Sequence, residues 1–131
     1  KGYLTTVPEQ LFGMGLGNCE TSSFDALNTP FYRSHSLLHY TWFMSAFLFL
    51  ETGYFGIAIY LAFFVLCFAG AWKQIRKKKR KLTYCYISLI MAVICTMMTF
   101  YNSSMRTEAG YMGYFALSLA FIGTQDEAMK V

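Results

Sequence analysis

The sequence predicts an all-α membrane protein with about three transmembrane helices, an outer-leaflet or kinked helix leading into the first of them, and an irregular outer loop. Three observations carry this. Hydrophobic residues fill 56% of the 131 positions and charged residues only 14%, against about a quarter in an ordinary soluble domain. Residues 54–72 contain no charge, a run close to the roughly 20 residues a helix needs to cross about 30 Å of hydrocarbon. Seven of the eleven Lys and Arg residues then crowd into positions 73–81, as expected of a loop on the cytoplasmic side.

Taken in order, residues 1–36 are polar and broken by Pro8, by Gly13, Gly15 and Gly17, and by Pro30. They read as an outer loop in which Ser22, Ser23 or Asp25 caps a turn and no helix runs through Thr29. Residues 37–72 form an interfacial helix and the first transmembrane helix. Side chains from Ser36 to Leu50 are apolar on nearly every face, and Thr52 and Gly53 supply a break that keeps Glu51 near the outer interface. Tyr54 and Trp72 mark the two interfaces.

The basic loop, 73–82, faces the cytoplasm, so residues 1–53 lie outside. Residues 83–101 return outward as the second span, with Ser88, Thr96 and Thr99 available to helical carbonyls or to neighbouring helices. Residues 102–110 are an outer loop containing Arg106, Glu108 and an Asn102-Ser103-Ser104 sequon. The last apolar segment, 111–123, is short for a bilayer at 1.5 Å per residue, and 124–131 is a tail. Three short spans make a small bundle, which suits a piece of a longer chain with further helices.

Several function classes are excluded. Outside 73–81 the chain is net acidic, and the basic run lacks interleaved aromatics on which bases would stack, so nucleic acid is not a partner. The GMGLG cluster lacks the spacing and the strand-to-helix setting of a dinucleotide fingerprint. Cysteines 19, 67, 85 and 95 form no CxxC pair and have no histidines at ligand spacing, so they read as small packing residues, with no metal site.

This topology gathers Arg33, His35, His39, Glu51, Arg106 and Glu108 on the outer side. Arginines offer forked donors for phosphate oxygens, and a histidine offers a base that titrates near neutrality. A buried Glu51 needs a partner, since an unpaired carboxylate costs several kcal/mol or takes a proton.

The order LFGMGLGN, a polar loop, a histidine, an apolar run and then ETGYFG entering a span resembles the O-antigen ligase and polymerase family of bacterial membrane glycosyltransferases. The likeness covers most of the chain, as the C-terminal part of a longer protein. Glu51, Gly53 and Gly56 fit the E-x-G-x-x-G pattern, and Gly13, Gly15 and Gly17 fit the glycine turn. The resemblance implies an enzyme of the bacterial cytoplasmic membrane that needs no cofactor or metal. Its partners would be a polyprenyl-diphosphate-linked glycan donor, a glycan or glycolipid acceptor, the lipid bilayer and the remaining transmembrane helices.

It implies a catalytic group made of a histidine and Glu51, and Arg33 and Arg106 on the diphosphate. His35 has the better local context, beside Arg33 and Ser36; His39 has the better distance to Glu51. Both stay open, as does a reading of a different class, a non-enzymatic membrane subunit such as a transporter fragment or an envelope scaffold.

Overall fold

The computed structural model describes residues 4, 6–77 and 82–122, and every regular element among them is helical. Among the described residues five α-helices follow one another: α1 (Val7–Phe12), α2 (Pro30–His35), α3 (Met44–Lys77), α4 (Leu82–Tyr101) and α5 (Glu108–Ser118), with short 3-10 turns between α1 and α2, α2 and α3, and α4 and α5. Of the described helices, α3 and α4 are long and apolar enough to cross a membrane. Only 11% and 28% of their most apolar windows are buried, whereas the core helix of a soluble protein turns most of such a window inward.

Helices α3 and α4 run antiparallel, and α5 lies against both. The central core joins Phe64 and Cys67 of α3 to Ala92 and Cys95 of α4, Met105 of the connecting turn and Leu117 of α5. Toward the basic loop, Ala71, Cys85 and Ala120 are small enough to bring the three backbones together. Polar groups inside this apolar packing are matched. Ser88 donates to the Leu117 carbonyl at 2.6 Å, which ties α4 to the last turn of α5, and the Tyr60 and Tyr114 hydroxyls meet at 2.8 Å. Thr96 and Thr99 donate to carbonyls one turn back.

Helix α3 breaks at Gly53, which has φ 65° and ψ −162°. Such a backbone is open to glycine and strained for other residues. The cause is local: an added Cβ on Gly53 would come within 2.5–2.6 Å of the Leu11 and Gln10 carbonyl groups. Gly56 answers the same break one turn later, since a Cβ there would overlap the Thr52 side chain, whose hydroxyl is held on the Leu48 carbonyl at 2.7 Å.

Two stretches differ from the sequence expectation. The helix expected to begin near residue 37 begins at Met44; before it come 3-10 turns at Ser36–Leu38 and Tyr40–Trp42. His39 stands between them in the left-handed region at φ 49°, and one such residue ends a right-handed helix. The third apolar segment forms α5 and a turn, Leu119–Phe121, with too few residues to count as a membrane-length helix. Its short length follows from the Ser104–Arg106 turn, which folds back so that Met105 enters the core beside Cys95 and Gly113. Helix α5 therefore starts alongside α4, not beyond its end. Residues 78–81 of the basic loop and the tail, 124–131, lie outside the described residues.

The capping assignments also shift. Thr29 caps α2 by accepting the Tyr32 amide, with Pro30 at the first helical position. The turn Asp25–Leu27 has no side-chain cap; Ser22 and Asp25 bond to Phe24 N–H and to the Asn28 side chain instead.

Candidate functional site

The site is built on the kink. Helix α1 is started by a capping box, in which the Thr6 hydroxyl accepts the Glu9 amide and the Glu9 carboxylate accepts the Thr6 amide. The chain leaves α1 through Gly13, whose backbone lies so close to the Glu51–Thr52 peptide that a Cβ would overlap it. The glycine turn then adds its amides to carbonyls that the break in α3 leaves open: Met14 N–H donates to Leu50 at 2.8 Å and Gly15 N–H to Glu51 at 3.0 Å. Gly13, Gly15 and Gly17 all have positive φ, which curls this segment over the kink.

Glu51 closes the arrangement. Its side chain is buried, and Oε1 accepts the amides of Gly17 at 2.9 Å and Cys19 at 3.4 Å. The carboxylate thus gives the buried Cys19 amide a partner it would otherwise lack and holds the more exposed Gly17 amide beside it. Sequence reasoning required a partner for Glu51 and looked for a histidine or an arginine; the structure supplies the backbone of the glycine turn.

Cys19, read from the sequence only as a packing residue, and Tyr40, Glu20 and Phe47, which the sequence reading did not single out, complete the network. Cys19 is fully buried, and its carbonyl accepts the Tyr40 hydroxyl at 2.7 Å. Burial pushes the Cys19 thiol up to about 11, with the Glu51 charge adding to it, and burial likewise pushes Tyr40 up to about 12. Glu20, the next residue, pairs with Arg106 at 2.8 Å. The Arg106 guanidinium lies over the Phe47 ring, 3.4 Å from its centroid, an attraction between cation and aromatic face. Phe47 is one helical turn before Glu51, a spacing visible in the sequence; Glu20, in a polar loop, carried no signal of its own.

Glu51, Arg106 and the glycine turn are therefore brought together, while Arg33 and the two histidines are engaged locally. Arg33 donates to the carbonyls of Asp25 at 2.8 Å and Ala26 at 3.2 Å. His35 stacks on Phe31, and its Nδ1 lies 2.8 Å from the Ser34 hydroxyl and 3.1 Å from the Phe31 carbonyl. His39 is exposed and stacks on Trp42 with centroids 4.3 Å apart. Beside them lies an apolar cavity of about 520 Å³, lined by Phe31, Leu38, Tyr40, Phe49, Leu50 and Tyr54 among others. Among the described residues no three His, Cys, Asp or Glu side chains are grouped to hold a metal ion.

Comparison with known proteins matched no family model, no curated protein and no solved structure.

Proposed function

We propose that this chain is the C-terminal segment of a metal-independent glycosyltransferase like the O-antigen ligases and polymerases, working at the outer face of the bacterial cytoplasmic membrane. The observation that supports this reading is the contact between its two sequence signatures. The glycine turn and E-x-G-x-x-G lie far apart in the chain, and they form one unit through Glu51, Gly13 and Gly53. Signatures that interlock have a shared task, here the fixing of an outer loop against the first span.

In the proposed reaction an acceptor hydroxyl attacks the anomeric carbon of a polyprenyl-diphosphate-linked glycan. The new C–O bond forms as the bond from that carbon to the diphosphate oxygen breaks, and the electron pair leaves with the diphosphate. His35 or His39 takes the hydroxyl proton. Arg106, presented on Phe47, and Arg33 stabilise the departing charge, and the apolar cavity beside Phe31 admits the first part of the polyprenyl chain. Glu51 holds the loop on which these groups stand.

The test is envelope polysaccharide made by the full-length protein carrying His35→Ala or His39→Gly, with membrane abundance measured in parallel. Glycine is chosen at 39 because it accepts the left-handed backbone. Loss of polymer at normal abundance in one variant identifies the base; normal polymer in both removes the histidine mechanism.

A second reading, a non-enzymatic envelope subunit, draws on the engagement of Arg33 and Glu51 with backbone groups of the fold itself. It predicts normal function without the histidines and failed assembly on changing Gly53.

A further inference from the structure

We propose that α1 is a membrane-surface element whose apolar face rests in the outer leaflet; the inference builds on the membrane reading above. None of the residues of α1 is buried. Val7 is 68% exposed, Leu11 45% and Phe12 63%, and Leu16, just past the helix, is 80% exposed. The polar groups of the segment point elsewhere: Thr6 and Glu9 close the capping box, and Gln10 donates to the Leu4 carbonyl. A six-residue helix with its polar side chains used on its own backbone and its apolar ones outward is not built to face water.

Its height on the molecule is fixed. The approach of Gly13 to the Glu51–Thr52 peptide, and of Gly53 to Leu11, holds α1 beside the kink. The Phe12 ring then meets Phe55 at 5.8 Å. Phe55 opens an outward stripe along α3 that continues through Ile59, Phe63 and Leu66, all exposed. The face of α1 is thus an extension of the surface that a membrane-crossing α3 presents to lipid.

The level is that of the headgroups. Tyr54, exposed at the top of the same stretch, combines an apolar ring with a hydroxyl, the kind of side chain that gathers at the membrane interface. A short apolar helix lying at that level, joined to the lipid-facing stripe, fits the boundary between headgroups and acyl chains. A contiguous exposed apolar patch of this kind marks an interaction surface such as a membrane.

The experiment uses the full-length protein in lipid nanodiscs with single-tryptophan reporters. In a background in which Trp42, Trp72 and every tryptophan of the rest of the full-length chain are replaced by Phe, Leu11→Trp and Phe12→Trp report on α1, Ile59→Trp on the α3 stripe and Ser23→Trp on the outer loop. Phe12→Trp keeps an aromatic ring against Phe55, and Leu11→Trp provides a second reporter should the first disturb the fold.

The expected result is that lipid brominated near the headgroup quenches both α1 reporters, whose emission is shifted to the blue of Ser23→Trp and is little changed by aqueous iodide. Quenching of the α1 reporters by iodide and not by brominated lipid would place the face in water. Quenching by neither would mean that another part of the protein covers it. Both results overturn the proposal while Ile59→Trp remains quenched by lipid. An Ile59→Trp that escapes brominated lipid overturns the membrane reading as well.

Discussion

Glu51 Oε1 accepts the Gly17 amide across a sequence separation of 34 residues, and with that bond the N-terminal segment is tied to the break in α3. Replacing Glu51 by Ala strips the acceptor from Gly17 and Cys19 and leaves the buried Cys19 amide unmatched, at about 1–3 kcal/mol, while the more exposed Gly17 amide can turn to water. Glu51→Gln keeps an oxygen at the same place and should lose only part of this, because a neutral acceptor is weaker than a charged one. Thermal unfolding in nanodiscs separates the two. A Gln variant as unstable as the Ala variant would mean that the charge itself matters more than the acceptor.

The glycines of the turn and of the kink should not be equivalent. Gly17 has φ 80°, and a Cβ added there would meet no atom within 4 Å, so Gly17→Ala carries only left-handed backbone strain, about 1–2 kcal/mol. Gly13→Ala and Gly53→Ala add a collision with backbone that has nowhere to move. Protease cleavage between residues 14 and 30 should accelerate strongly in these two variants and modestly in Gly17→Ala. Equal acceleration in all three would show that conformational freedom, and not close approach, selects glycine here.

Arg106 has two supports of unequal worth. Its pairing with the half-exposed Glu20 carboxylate belongs with surface ion pairs, about 0–1 kcal/mol, so Glu20→Gln should leave stability nearly unchanged. Arg106→Lys loses the flat stack on Phe47 and should destabilise more than Glu20→Gln despite keeping the charge. Under the transferase reading, Arg106→Lys also weakens donor binding, which KM for the lipid-linked glycan would report. Equal stability loss in both variants would shift the weight to the ion pair.

Cys19 and Tyr40 give the outer segment a stability that depends on pH. Both are weak acids whose folded values, about 11 and about 12, stand above the ordinary thiol and phenol values of 9.0 and 10.0. The unfolded chain therefore loses these protons first. The contribution of these two groups is constant below pH 9 and falls above it, by up to about 1.4 kcal/mol per pH unit for each group. Maleimide should leave Cys19 unlabelled in folded protein at pH 8 and label it after denaturation. Cys19→Ser and Tyr40→Phe together should flatten the alkaline limb of the unfolding curve.

The long elements were legible because apolar length is a local property. The charge-free run before Trp72 and the apolar run ending at Tyr101 correspond to α3 and α4, and Gly53 marked the break. Other features depended on partners distant in sequence. Nothing near Glu51 indicates that its donors lie at Gly17 and Cys19, and nothing near Met105 indicates that the turn folds inward. His39 misled in another way: its apolar neighbours favour helix, while the packing of Tyr40 beneath Cys19 holds it in a left-handed conformation. Of the site residues, the glycines and Glu51 were identifiable by type, and Glu20 and Phe47 only by position.

The core shared by Cys19, Tyr40, Phe47 and Leu50 has a consequence for the order in which the chain acquires shape. Half of that core belongs to α3, so the outer segment lacks a nucleus until the helix that follows it is in place. Closing the intervening loop costs entropy that only the finished contact repays. Synthesis delivers the glycine turn first and its template second. The segment before α3 can complete its core only once Phe47 and Leu50 are in place, so the finished contact reports that the start of α3 has formed.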